Sequence, residues 1–265
     1  MKSYVIKGGI AGRERLRLLS RVMAPTTNAL FDRIGVVEGA SCLDVGCGGG
    51  DVALELARRA GPTGHVVGLD ADETKLEIAR REAETLAVGN LEFRCADVTK
   101  PFEKGRFDLV YARFLLTHMP RPERVIDNML VALRPGGVVV VEDIDFSGHF
   151  CHPHCDAFWR YVELYAAVAR KRGVDPDIGP RLPALLRQGG AAAVQISAVQ
   201  PSGLRGEVKQ VARITMETIA DAVIGEGLAT ATEISGIVAE LERYAEDATT
   251  VMSIPRVVQS WGYQA

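Results

Sequence analysis

Leu43-Asp44-Val45-Gly46-Cys47-Gly48-Gly49-Gly50-Asp51 is the stretch that decides how this chain is read. Residues 41–45, SCLDV, form a short apolar run that reads as a strand. Residues 49–59, GGDVALELARR, read as a helix whose Val52, Leu54, Leu56 and Ala57 can face a sheet. The glycines therefore stand where a strand turns into a helix. Without Cβ atoms they allow positive φ and close approach of a ligand to the backbone, while the helix start offers free N–H groups. A polar ligand is expected at this turn.

Working outward, the same alternation repeats. Strands are expected at 65–69, 91–95, 107–112 and 138–141, and helices at 72–86 and 122–133, the latter ended by Arg134-Pro135-Gly136-Gly137. Strands separated by helices of this length indicate βαβ crossovers and an α/β fold with a parallel sheet. Ahead of this core, residues 11–37 carry two helical patterns broken near Pro25-Thr26-Thr27-Asn28. Behind it, 156–171, 180–187, 207–224 and 232–246 read as helices, and 194–199 and 256–263 as strands. The expectation is one domain over 1–265: a helical cap at 1–40, a ligand-binding core at 41–143, and a substrate-side part at 144–265 with a helical lid at 204–250.

Composition agrees with a globular enzyme-sized unit. The chain has 265 residues, 47% hydrophobic and 25% charged, with 31 Lys+Arg against 34 Asp+Glu and a net charge of −3. Its mean hydropathy is +0.07. Disordered, collagenous and multi-span classes are excluded, and the charge offers no field for nucleic acid or an anionic membrane. No membrane span and no export signal are expected, and five cysteines form no disulfide framework, so the cytoplasm is the expected location.

The identity of the ligand turns on the acids beside the glycines. A dinucleotide turn uses Gly-x-Gly-x-x-Gly; Gly46 and Gly48 fit its first two positions, but Asp51 stands at the third. An acid at a helix start suits a pyrophosphate badly. Asp44 and Asp51 together favour a ligand that carries positive charge.

On these residues LDVGCGGG resembles the first motif of class I S-adenosylmethionine-dependent methyltransferases, and the ordered segments after it are similar too. The resemblance covers about 41–143. It implies that Asp44, Gly46, Cys47 and Gly48 line the methionine end, and that Asp70, closing HVVGLD, accepts from the ribose hydroxyls beside Ala71. It implies that Asp97 and Val98 meet the adenine, and that Arg113, ending FDLVYAR, lies near the cofactor's carboxylate. Tyr4, with Gly8 and Gly9, is similar to an aromatic lid of small-molecule members. The implied fold is a Rossmann-like, doubly wound seven-stranded sheet in the order 3-2-1-4-5-7-6, last strand antiparallel. The subgroup it resembles is the small-molecule type of quinone biosynthesis and natural products.

Other candidates come from the residues alone. His118 and His149 are the candidate bases, His118 being alternatively a cap of the next helix; a carboxylate from 142–145 is a third choice. Arg13, Arg15, Arg17 and Arg21 read as a solvated helix face. Cys151-His152-Pro153-His154-Cys155 packs four metal-type ligands too tightly around proline to converge on one ion, so no metal is expected. That stretch reads instead as substrate-pocket wall with Glu142, Asp143, Asp145, Phe146, Phe150 and Trp159. Met216, Ile219, Val223 and Met252 fit either a lid pocket or simple packing.

The expected function is in-line transfer of the sulfonium methyl to an O, N or C nucleophile of a small molecule. Three alternatives stay open: a protein that binds the cofactor without transfer, one that uses its charge for another reaction, and, more remotely, an NAD(P)-dependent oxidoreductase. The oligomeric state is left open, a homodimer included.

Overall fold

The computed structural model describes residues 9–264, so Tyr4 lies outside the described residues. In chain order the elements are α1 (Gly9–Ile34), β1 (Ser41–Val45), α2 (Asp51–Ala60), β2 (His65–Asp70), α3 (Glu73–Thr85), β3 (Leu91–Cys95), β4 (Phe107–Arg113), α4 (Pro122–Ala132) and β5 (Leu133–Asp145). They continue with β6 (Cys151–His152), α5 (Asp156–Lys171), α6 (Leu182–Gln188), β7 (Ala192–Val199), β8 (Ser202–Gly203), α7 (Gln210–Gly225), α8 (Ala231–Glu246), β9 (Val251–Ser253) and β10 (Arg256–Tyr263).

Seven strands form the main sheet in the order β3-β2-β1-β4-β5-β10-β7. The first five are parallel, and β10 runs antiparallel between β5 and β7. Counted within this sheet alone, the order is 3-2-1-4-5-7-6. Strand order reverses between β1 and β4, which opens a crevice beyond their carboxyl ends. Apolar side chains drive the assembly from both faces. Leu43, Val45, Val110, Val139 and Val141 pack under α4 and α6; Cys42, Leu109, Val138 and Val140 pack under α1 and α2. A third buried group joins α5, α7 and α8 beyond the sheet. Met216, Ile219, Val223 and Met252 lie inside that group, each at most 1% exposed, so packing accounts for them.

Two expectations are corrected, and one feature is added. The segment taken as two broken helices is the single helix α1, with Pro25 inside it. Pro25 supplies no N–H to the carbonyl of Arg21, and both residues are exposed. Nearby carbonyls take side-chain donors: Thr26 Oγ1 donates to Met23 O at 2.9 Å, and Arg59 Nη2 to Asn28 O at 3.3 Å. Burial of Met23, Leu30 and Phe31 on either side of the proline then outweighs local propensity. Second, the Arg134–Gly137 turn does not precede β5 but interrupts it: the pairing shifts from Phe107↔Leu133 to Leu109↔Val138. In addition, β6, β9 and β8 form a small second sheet that no periodicity announces, because two- and three-residue strands have none.

Candidate active site at the carboxyl ends of β1 and β4

The glycine turn connects β1 to α2. Gly50 occupies the N-cap of α2 in the left-handed region at φ 81°, and a Cβ there would stand 2.6 Å from the Phe93 ring, so glycine is required twice over. Gly46 and Gly48 also have positive φ. The turn is tied to the next strand by Cys47 N–H on Leu69 O at 2.8 Å and by Gly48 N–H on Asp70 Oδ2 at 2.9 Å. Asp70 Oδ1 accepts from Asp72 N–H at 2.9 Å, which fixes the carboxylate at the end of β2. Ala71 is exposed beside it. Asp97 is exposed just past β3, with Oδ1 taken by Thr99 N–H and hydroxyl, and Val98 is buried behind it.

Asp44 is the electrostatic centre. It is 2% exposed, its Oδ2 has no hydrogen-bond partner, and burial pushes its carboxyl up to about 7. The charge of Arg113 pulls the other way, while Asp70 and Asp51 add to the rise. Burial likewise pushes the Cys47 thiol well above its usual range, so it stays protonated. Three carboxyl groups thus share one end of the crevice, and one of them has an unsatisfied oxygen in a dry site. An uncompensated buried oxygen of this kind is costly unless a donor completes it. A cationic donor fits, and the residues suit the methionine and ribose ends of S-adenosylmethionine.

Helix α1 covers this end. The Arg13 guanidinium lies over Gly49 and bonds Asp51 Oδ2 at 2.6 Å and Glu82 Oε2 at 2.8 Å. Arg17 adds a second contact to Glu82. Arg113 is turned toward α1, donating to Thr27 Oγ1 at 3.1 Å and Ser20 Oγ at 3.2 Å. The solvated-face reading of the arginine run therefore holds for Arg17 and Arg21 only; Arg13 and Arg15 are 5% and 9% exposed. The helix runs between α2 and α3 on one flank and α7 on the other, which covers both arginines. Gly49→Ala tests the cover: its Cβ would overlap the Arg13 guanidinium and displace it. Trypsin should then cut within α1 about fivefold faster, equivalent to about 1 kcal/mol of local opening. An unchanged cleavage rate would show that Arg13 does not hold the helix down.

His118 and His149 are separated. His118 lies in a 3-10 turn after β4 and does not cap α4, whose N-cap is Arg121. Burial, then the charges of Arg15 and Lys75, bring its imidazole down to about 3. His149 sits among Phe146, Phe158 and Tyr161, donating from Nδ1 to Phe146 O at 2.7 Å, and burial holds it down to about 4.

The pocket-wall residues split as well. Glu142 is fully buried beneath α1, where Tyr111, Thr27 and Gln259 donate to it. Asp143 accepts from Thr117 N–H at 3.1 Å and Ile144 N–H at 2.8 Å, and Asp145 pairs with Arg256 at 3.0 Å. Phe146 is buried, whereas Phe150 is exposed. In the 151–155 stretch, Cys155 Sγ contacts Glu240 and His154 pairs with Asp156. Among the described residues no group of three or more His, Cys, Asp or Glu is placed to hold a metal ion. Sequence reasoning also missed Phe114, which follows Arg113 at φ 53°. Left-handed backbone at a bulky residue costs about 1–3 kcal/mol and concentrates at functional sites.

A methyltransferase domain family matches residues 37–172 of the chain. Among curated proteins, a demethylmenaquinone methyltransferase of Lactococcus lactis subsp. lactis is 38% identical over 134 residues, 50% of this chain and 51% of that protein. The chain spans about half the length of the curated relatives it matches. Among solved structures, the [4+2]-cyclase SpnF superposes with a TM-score of 0.55 at 21% identity, covering 90% of this chain and 80% of that one. A phosphoethanolamine N-methyltransferase 2 of Haemonchus contortus, solved with S-adenosyl-L-methionine, superposes at 0.54 and 16% identity, covering 100% of this chain and 55% of that one. At these identities the two structures speak for the fold alone.

Proposed function

Because the chain belongs to the methyltransferase domain family, we propose that it transfers the methyl of S-adenosylmethionine to a small-molecule acceptor. The observation that carries the reading is the unpartnered, buried Oδ2 of Asp44 beside the glycine turn. The cofactor supplies a methyl on a cationic sulfur, which leaves as a neutral thioether. Asp44 binds its ammonium, Asp70 its ribose hydroxyls, and Asp97 with Val98 its adenine. The backbone from Gly46 to Gly48, Cys47 included, accepts the methionine end, with Arg113 on the carboxylate side. Orientation and exclusion of water are the protein's main contributions, the former being able to supply about 7–11 kcal/mol in favourable cases. Helix α1 provides the exclusion, and the 204–250 insertion forms the lid of the same domain.

For a neutral nucleophile His118, which follows the carboxyl end of β4, is better placed than His149, whose Nδ1 is on a carbonyl among aromatic rings; with its imidazole held down to about 3, it can take a proton only if the bound acceptor relieves that depression. The named function of the Lactococcus lactis relative favours a quinol-like ring as the methyl acceptor. Among the described residues no helix is long and apolar enough to cross a membrane. Free thiols at all five cysteines favour the reducing cytoplasm. A second reading, cofactor binding with chemistry other than methylation, is favoured by the cyclase that shares the fold. The acid at the start of α2 argues against a dinucleotide coenzyme.

The test has two stages. Calorimetry should show S-adenosylhomocysteine binding, with affinity reduced about 10–100-fold in Asp70→Ala, the loss of hydrogen bonds worth about 1–3 kcal/mol. Labelled methyl should then appear on a member of a panel of phenols, amines, quinols and fatty acids. Binding without label on any acceptor would favour the second reading, and no binding at all would remove both.

A further inference from the structure

Arg15 is a buried cation without an anion. It is 9% exposed, and among the described residues no carboxylate pairs with it. Its Nε donates to Thr215 Oγ1 on α7 at 3.1 Å. Arginine remains charged in proteins, so burial exerts a cost that a lone hydroxyl does not offset. Tyr161 and Tyr165, successive turns of α5, face the same charge, and Thr215 lies beside the Tyr161 hydroxyl. Asp143, which faces Tyr165, is turned to the backbone N–H groups of Thr117 and Ile144. The place is also set by helix geometry. Residues 13 and 15 point about 200° apart on a helix. With Arg13 over the glycine turn, Arg15 is directed to the opposite flank, between α5, α7 and the His118 turn.

We propose that Arg15 selects the methyl acceptor by binding a carboxylate on it, with the Tyr161 and Tyr165 hydroxyls as neutral donors beside the guanidinium. The inference rests on the methyl-transfer reading for the word acceptor, but the anion site stands on its own residues. With Nε engaged by Thr215, the two Nη groups remain for a planar, bidentate partner, which a carboxylate matches and an amide does not. The Phe146–Tyr165 stack, with centroids 3.9 Å apart, gives the site an apolar wall for the body of such an acid.

The experiment uses the full chain, with and without saturating S-adenosylhomocysteine, and two acid–amide pairs: benzoate with benzamide, and decanoate with decanamide. Calorimetry should show at least one acid bound tenfold or more tightly than its amide. Arg15→Met should erase that ratio, Arg15→Lys should keep part of it, and affinity for S-adenosylhomocysteine should be unchanged in both. Thermal unfolding separates this from a structural role: Arg15→Met should melt at the same or a higher temperature, because it removes a desolvated charge. Equal binding of acids and amides, no binding of any of the four, a preference that survives Arg15→Met, or a lower melting temperature would each overturn the proposal. Failure of S-adenosylhomocysteine to bind counts against the methyl-transfer reading instead, since the acid–amide comparison is also made without it.

Discussion

Asp44→Asn should weaken S-adenosylhomocysteine binding about 100-fold at pH 8 while making the cofactor-free chain more stable. Both effects follow from one atom. Oδ2 of Asp44 is buried and unpartnered, and the carboxyl titrates near 7. When the ammonium of the ligand arrives, it supplies the missing donor to an ionised oxygen, a charged hydrogen bond worth about 1.5–3 kcal/mol. The amide cannot supply that charge. Wild-type affinity should therefore fall as pH drops below about 7, where Asp44 takes up a proton, and the variant should be flat over the same range. Calorimetry from pH 5.5 to 8.5 reads both; an unchanged affinity in a folded variant would place Asp44 outside the site.

The stability arm has a definite sign. A carboxyl raised from 3.8 to about 7 in the folded chain contributes stability in full below pH 3.8, and loses it as pH rises through about 7. The ionised Asp44 costs at most about 4 kcal/mol above that window. The buried amide and the protonated acid each leave one polar atom unpaired, so the variant should be close to wild type at pH 4 and up to about 4 kcal/mol more stable at pH 8. The raw profile of either protein is not enough. His118 and His149, held down to about 3 and about 4, contribute stability that is lost as pH falls below 6.5, opposing the Asp44 and Asp143 trend over part of the range. The difference between wild type and variant in urea cancels those shared contributions.

What could be read in advance follows a physical division. The central strands β1, β2, β4 and β5 were legible because a parallel sheet buries both faces and leaves apolar runs, edge strand β3 (LEFRC) only by its place in the alternation, and the glycine turn because backbone conformation limits which residue can stand there. The dependence of Asp44 on an incoming donor was legible only as an excess of acids. Arg13 and Arg15 were not, since a charged run reads as solvated unless one knows that the helix is covered on both flanks. The continuity of α1 through Pro25 was hidden for the same reason: packing of Met23, Leu30 and Phe31 on distant strands decides it, and no local window contains those partners. Phe114 carries no sequence mark at all, because its left-handed backbone is imposed by the chain leaving β4.

Glu142→Ala should be the most destabilising single change in the site, by about 3–5 kcal/mol. Its carboxylate has no exposure and takes three donors: Tyr111 hydroxyl and Thr27 hydroxyl on Oε1, and Gln259 Nε2 on Oε2 at 2.8 Å. Thr27 in turn accepts from Arg113, so the chain of bonds runs from β4 through α1 to β5 and β10. Removing the acceptor strands the Tyr111 and Thr27 hydroxyls in a dry interior and leaves Gln259 Nε2 only its longer bond to Thr26 O at 3.3 Å, and loss of one partner from a buried charged network costs far more than the network's net worth. Glu142→Gln keeps the volume and one acceptor. Gln259 can turn its own amide over to receive the new N–H group, so this variant should lose only about 1–2 kcal/mol. The loss in the glutamine variant separates the hydrogen-bond account from simple cavity formation, which the glutamine would avoid entirely and which would leave that variant as stable as wild type. Because Thr27 is the member on α1, Glu142→Ala should also speed tryptic cleavage of that helix, and more than Gly49→Ala does. Urea unfolding that gives Glu142→Ala a loss below about 1 kcal/mol would mean that water enters and satisfies the donors, and that the network does not hold α1 on the sheet.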